Sequence, residues 1–248
     1  MRAALRVEAR KLARSPVGLV GTLALVLGTV LLLAGTSAAL VAGNAEVAAK
    51  LGPAATLGWS GLLLAAAQVT AAGGLLGSGV VLAWIFGREF TDGTLAALFA
   101  LPVRPARTAL AKLTVHAGWV VAVHLLLAPA VLGLGLVLGH GPPTADTWAG
   151  LGRQLVLGVL TGIAAAPVAW VTTLGRSLLA GTGCAIGLVV AGQVGALTGV
   201  PGWVPFAAPV LWATGHDVTV AQLGLTAVLA AACAAATSTT WARLQLDR

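Results

Sequence analysis

Six stretches of this chain are each about twenty residues or longer and nearly free of charge, the length a helix needs to cross the hydrocarbon core of a bilayer. They run over 17–42, 57–86, 113–138, 151–174, 177–197 and 220–241. Only 8% of the 248 residues are charged and 58% are hydrophobic, against about 25% charged in a soluble domain. A chain so poor in charge cannot cover a water-facing surface, so its solvent is mostly lipid. The breaks carry helix-ending residues, among them Gly43-Asn44, His140-Gly141-Pro142-Pro143, Gly175-Arg176 and Gly199-Val200-Pro201-Gly202. The expected fold is a single all-α membrane domain over 1–248 with six transmembrane helices, the fourth and fifth joined as a tight hairpin. The first run is longer than the apolar core of a signal peptide and reads as a retained span.

Lysine and arginine placement gives the spans a direction, because cytoplasmic segments keep positive charge. With the N-terminus inside, Arg2, Arg6, Arg10, Lys11, Arg14, Arg88, Arg104, Arg107, Lys112, Arg176, Arg243 and Arg248 fall on the inner side, and only Lys50 and Arg153 on the outer. Both termini are therefore expected in the cytoplasm. Trp59, Trp148, Trp203 and Trp212 fall near predicted outer ends and Trp84, Trp170 and Trp241 near inner ends, matching the interfacial preference of the indole ring. The net charge of +7 is spread over short connections and not gathered on one folded face, so no nucleic-acid partner is expected. Cys184 and Cys233 lie within apolar runs without metal-ligand spacing and read as small hydrophobes.

Arg2, Arg6, Arg10 and Arg14 step by four, a slowly drifting basic stripe if 1–15 is helical, with Met1, Leu5 and Leu12 on a neighbouring face. This is the pattern of an interfacial helix lying on the inner leaflet, its arginines among anionic lipid headgroups; a basic disordered tail is the alternative.

The longest cytoplasmic connection, 87–112, lies between spans two and three. Thr91 or Asp92 is placed to cap a short helix and Pro102 to end it. Between them Leu95, Leu98 and Phe99 share one face at i, i+3, i+4. A helix this short is marginal alone. Its apolar face either buries against the chain's own spans or docks on a separate protein, with Glu89, Arg104 and Arg107 around the contact.

Glu89, Gly93, Thr94, Leu95, Leu98, Phe99, Pro102, Val103, Arg104, Arg107 and Lys112 resemble a pattern of ABC-2 type transporter permease subunits, including multidrug and antibiotic exporters: E-x-x-x-G-T-L-x-x-L-L-x-x-P-V, then basic residues and a lysine opening the next span. Ala96 stands where an acidic residue commonly follows, and Pro105 where a serine or arginine often sits. The resemblance implies that the segment around 92–101, including Asp92, is a coupling helix that receives the motion of an ATP-hydrolysing subunit. It further implies two membrane halves (a second copy or a paralogue), two ATPase subunits carrying ATP and Mg, and a place in the bacterial plasma membrane. The sequence holds no G-x-x-x-x-G-K-[ST] phosphate loop, since Lys11, Lys50 and Lys112 are each followed by leucine. No catalytic residue, bound cofactor or metal is assigned to the chain itself.

Polar groups inside spans are costly and are functional candidates by default. Gln68, His124 and Gln193 qualify, either as contacts in a substrate path or, for His124, as a histidine bonded to a helix carbonyl. No intramembrane Asp, Glu, Lys or Arg is evident, which counts against an ion-coupled carrier; a secondary transporter and a non-transporting scaffold remain the other classes. Before span six, Pro201, Pro205 and Pro209 interrupt an apolar segment over 200–214 that also holds Trp203 and Trp212. A re-entrant pair of short helices fits, which the family resemblance would make an outer gate; an interfacial lid is the alternative.

Overall fold

The computed structural model describes residues 2–100, 103–197 and 201–245, and among these every regular element is helical. Pro102, Arg248 and positions 198–200 lie outside the described residues. The elements are α1 (Arg2–Ala13), α2 (Pro16–Val41), α3 (Ala45–Leu51), α4 (Trp59–Thr91), α5 (Leu95–Phe99), α6 (Pro105–Val137) and α7 (Ala145–Gly175). They continue as α8 (Leu178–Leu197), α9 (Ala208–Ala213) and α10 (Val220–Ala242). Among the described residues six helices are long and apolar enough to cross a membrane: α2, α4, α6, α7, α8 and α10.

Three spans are longer than their apolar runs. α4 continues past Phe86 to Thr91, α6 begins at Pro105 and not at 113, and α7 begins at Ala145 and not at 151. Proline suits the first turn of α6, where its missing N–H has no partner to lose, and Thr144 and Thr147 form a capping box that starts α7. At 33 residues each, α4 and α6 are about 50 Å long, more than a bilayer core requires. They carry Glu89, Arg107 and Lys112 within their helices, and α7 carries Arg153 about 12 Å beyond its first residue. These charges lie toward the ends of helices longer than the bilayer core, so helix propagation does not stop where the apolar run stops.

Three spans are locally irregular. The ladders of α2 and α4 widen to π turns at Ala24–Gly28 and Thr70–Gly74. α7 breaks at Ala165, two residues before Pro167, and restarts at Ala166. The α7–α8 hairpin is as tight as expected, with Arg176 in the left-handed region at φ 46° closing α7.

α1 and the last turn of α10 lie at the same end of the bundle. There Trp241, in the last turn of α10, packs edge-on to Phe86 of α4 at 5.7 Å, and its indole N–H donates to Thr173 Oγ1 of α7 at 3.1 Å. Phe86, Val168, Ala169, Trp241 and Leu12 belong to the core of this end. A second core, with Leu33, Leu62, Leu127, Val131 and Leu151, fills the other.

Candidate functional site

At the end bearing α1 and the last turn of α10, four charged side chains close a network inside the protein. Glu8 and Lys11 come from α1, Glu89 from α4 and Lys112 from α6. The Lys112 ammonium, wholly shielded from solvent, donates to Glu89 Oε1 at 2.7 Å, to Glu8 Oε2 at 2.8 Å and to the Ile85 carbonyl at 3.1 Å. An ammonium has three N–H groups, and all three are used. Lys11 Nζ donates to Glu89 Oε1 at 2.9 Å and to Glu8 Oε1 at 3.2 Å. Glu89 Oε2 accepts the Thr94 hydroxyl at 2.5 Å. Every carboxylate oxygen is occupied, and two cations balance two anions. A buried ion pair is tolerable on those terms, because an unpaired buried charge is far costlier than the desolvation of a satisfied one. Burial opposes the charge on Lys11, but the bond to Glu89 and the field of Glu8 outweigh it and hold its pKa above the ordinary 10.5. Its stabilising contribution is therefore present at physiological pH and is lost only as pH rises through that raised value.

Placing Glu89 here corrects the sequence reading of it as a rim charge around a docking contact. It is 1% exposed and points into the bundle, because the helix that carries it runs on past the apolar run. The capping expectation is corrected as well. Thr91 ends α4, with its hydroxyl on the Gly87 carbonyl at 3.2 Å, and Asp92 is the C-cap. Gly93 then turns the chain at φ +65°, a conformation that costs glycine little. Thr94 precedes α5 but makes no side-chain cap, its hydroxyl going to Glu89 instead. α5 is a single turn, Leu95–Phe99, shorter than the two turns expected. Leu95 and Leu98 are half-buried against the core of the bundle, so the leucine face is covered in part by the chain's own spans. Asp92, Gly93, Thr94, Ala96, Ala97 and Ala100 face outward, as do Arg104 and Arg107, neither of which forms an ion pair among the described residues.

α1 is helical as expected, with Arg2, Arg6, Arg10 and Arg14 all exposed. Met1 lies outside the described residues; of the other α1 side chains, Glu8 and Leu12 are buried and Leu5 and Lys11 half-buried, so the inward face carries charge as well as leucine. Sequence reasoning missed Glu8 entirely. Its one signal is an acid in a segment otherwise basic, three residues before a lysine and four before an apolar residue.

The three polar span residues are not brought together, and no hydrogen bond joins any two of them. Gln68 donates to the Leu51 carbonyl at the far end of the bundle, at 3.4 Å. Gln193 is exposed on α8. The Nδ1–H of His124 donates to the Val120 carbonyl of its own helix at 2.9 Å, and its ring lies flat against Gly158 of α7. A Cβ at Gly158 would stand 1.9 Å from the imidazole, whereas one at Gly152, on the same helix, would meet nothing. Gly158→Ala is therefore expected to lower thermal stability in detergent by about 1–3 kcal/mol through overpacking. Gly152→Ala should be neutral or raise it by up to about 1 kcal/mol. Equal unfolding temperatures for the two would refute the close approach.

The far end holds a cavity of about 480 Å³ between α4, α7 and the segment after α9, with Trp59, Leu63, Asp146, Arg153, Gln154 and Thr214 in its wall. Gln154 was not anticipated. Its amide donates to Thr70 Oγ1, at the start of the π turn of α4, at 2.5 Å and to the Ala66 carbonyl at 3.4 Å, while its own oxygen is buried without a partner among the described residues. Pro209 is buried in α9, Trp212 is half-buried and Trp203 is exposed. The Pro205 carbonyl accepts the Thr226 hydroxyl of α10 at 2.8 Å, which ties this segment to the last span.

The six-span layout is the one the sequence pattern implied, whereas the charged network under the connection of the second and third spans comes from the structure alone. No curated protein matches the chain. The profile of the family described as ABC-2 family transporter protein matches residues 4–192, from within α1 to within α8, and the chain belongs to that family.

Proposed function

We propose that this chain is the permease subunit of an ABC-2 exporter and moves an apolar or amphipathic molecule outward by alternating access. The energy comes from ATP hydrolysis in a separate ABC ATPase, which holds the ATP and Mg. A second permease copy or a paralogue completes the membrane part. The complex sits in the bacterial plasma membrane with both termini of this chain in the cytoplasm. Residues 92–107 are the coupling segment, and the Pro205–Trp212 stretch is an outer gate.

The observation that carries this reading is the Thr94–Glu89–Lys112 chain of contacts. The exposed backbone of 92–100 is the surface offered to a partner, and Thr94 connects that surface through Glu89 to α4, α6 and α1 together. A push on the segment is therefore delivered to three helices and not to a loop. Arg104 and Arg107, free of ion pairs among the described residues, are the charges a partner's acidic groups would meet.

The test is affinity purification from the native host in a detergent that preserves complexes, with an ABC ATPase expected alongside the wild-type chain. Arg104→Glu together with Arg107→Glu should cut its recovery about tenfold or more, as like charges replace attraction at the contact. Absence of any ATPase from the wild-type preparation, or transport in proteoliposomes containing this chain alone, would overturn the reading.

A further inference from the structure

We propose that the crevice between α1, the start of α2 and α4 is a binding site for the phosphate of an anionic lipid headgroup. Its wall brings Arg10, Lys11, Arg14 and Arg88 around one open space of about 530 Å³, with Trp84, Val7 and Pro16 as its apolar part. The four cations are not equivalent. Lys11 is committed to Glu8 and Glu89. Arg10 and Arg14 have no acidic partner among the described residues, and Arg88 has one at 3.6 Å, the half-exposed Asp92. The crevice thus holds two uncompensated guanidinium groups and a third only weakly paired.

Arg88 is also held in place for a ligand. Its guanidinium carbon lies 4.6 Å from the centre of the Trp84 ring, a cation–π contact that restrains the side chain. Its Nε–H is buried and has no acceptor among the described residues, which leaves the rest of the guanidinium, on a side chain 25% exposed, as the part a phosphate on the crevice side would meet. Guanidinium groups suit phosphate because they present paired donors in a fixed fork.

The surroundings select a lipid over a soluble anion. Pro16 is the first residue of span α2, so the crevice opens where a span enters the bilayer. Val7 is 51% exposed on α1, and Trp84 is of the residue type that settles at the headgroup level. Cations and apolar groups sharing one wall match a phosphate continued by glycerol and acyl chains. The site requires that the chain sit in a membrane, which the spans establish, and it does not require the ATPase, so its failure would leave the proposed transport function untouched and the reverse.

The experiment is native mass spectrometry of the purified chain in detergent, titrated with phosphatidylglycerol or with phosphatidylcholine of the same acyl chains. Retention of phosphatidylglycerol over phosphatidylcholine by about tenfold or more is expected. Each basic residue near a headgroup contributes about 1 kcal/mol, or about fivefold, so Arg10→Gln with Arg14→Gln should remove most of the preference. Arg2→Gln with Arg6→Gln, equally exposed on α1 but outside the crevice, should leave it in place and shows whether total charge alone is read. Inorganic phosphate at millimolar concentration should not displace the lipid. Equal retention of both lipids, or equal loss in the two double variants, overturns the site, and displacement by inorganic phosphate overturns its assignment to lipid. Phosphatidylglycerol should also raise the unfolding temperature of the wild type and not of Arg10→Gln with Arg14→Gln, a readout that holds if the double variant is less stable at the outset.

Discussion

Replacing Lys112 with methionine is expected to be among the most damaging single changes available in this protein. Methionine is close to lysine in length and fills the same space, so packing beside Trp241, 6.0 Å from the ammonium, is largely kept. What is lost is the cation between Glu8 and Glu89, both of them buried. Lys11 can reach both, but one partly exposed lysine then faces two carboxylates, leaving an uncompensated anion inside the bundle. Breaking a buried pair from one side costs about 3–5 kcal/mol, which for a chain of this length is a fall of about 10 °C in unfolding temperature. The triple change Glu8→Gln, Glu89→Gln, Lys112→Met removes both anions together with their cation and should recover at least half of that loss. A Lys112→Met protein unfolding within about 2 °C of the wild type would show that the network is open to water and is not the closed arrangement described.

How much of this was legible beforehand depends on the kind of signal. The number of spans was readable because apolar length is a local property. Their ends were not. Arg88, Glu89, Arg107, Lys112 and Arg153 look like the close of a span when scored by hydropathy, yet backbone hydrogen bonding carries the helix through them; Glu89 and Lys112 find partners inside the bundle, and Arg107 and Arg153 stay exposed. Glu89 and Lys112 were singled out through the resemblance to ABC-2 permeases, but as features of a connection. Their true relation is a contact between α4 and α6 that nothing in the 23-residue spacing discloses. Glu8 was less visible still: its partner Lys112 is 104 residues away, and on α1 the arginine stripe dominates the pattern. Gln154 was hidden by its neighbour Arg153, which was read as the outer boundary of a span. The turn of the helix sends Arg153 to the surface and Gln154 to the π turn of α4, a distinction that depends on where α7 begins. The hydrophobic face of α5 was correctly placed, but which of two surfaces would cover it could only be decided by the fold, and Leu95 and Leu98 lie in part against the chain itself.

If the proposed function holds, the network separates binding of a partner from transmission of its motion, and Thr94 is the residue at which the two should come apart. Its side chain is exposed and makes no cap, so Thr94→Val leaves the fold nearly undisturbed while deleting the single hydrogen bond between the 92–100 segment and Glu89. A hydrogen bond to a charged group contributes about 1.5–3 kcal/mol, enough to lower the population of the docked segment about tenfold or more. If the proposed function holds, ATPase should still co-purify with Thr94→Val, because the outward backbone and Arg104 and Arg107 are unchanged. Transport should fall about tenfold, while ATP hydrolysis by the complex persists. Thr94→Ser restores the hydroxyl and should restore transport. Glu89→Ala should lower transport at least as far, with insertion into the membrane retained, but it also strips an acceptor from both lysines and so loses stability, which Thr94→Val should not. A protein in which Thr94→Val transports as the wild type does, with hydrolysis and stability equally unchanged, would show that the segment moves the bundle through the leucine face of α5 and not through the buried charges.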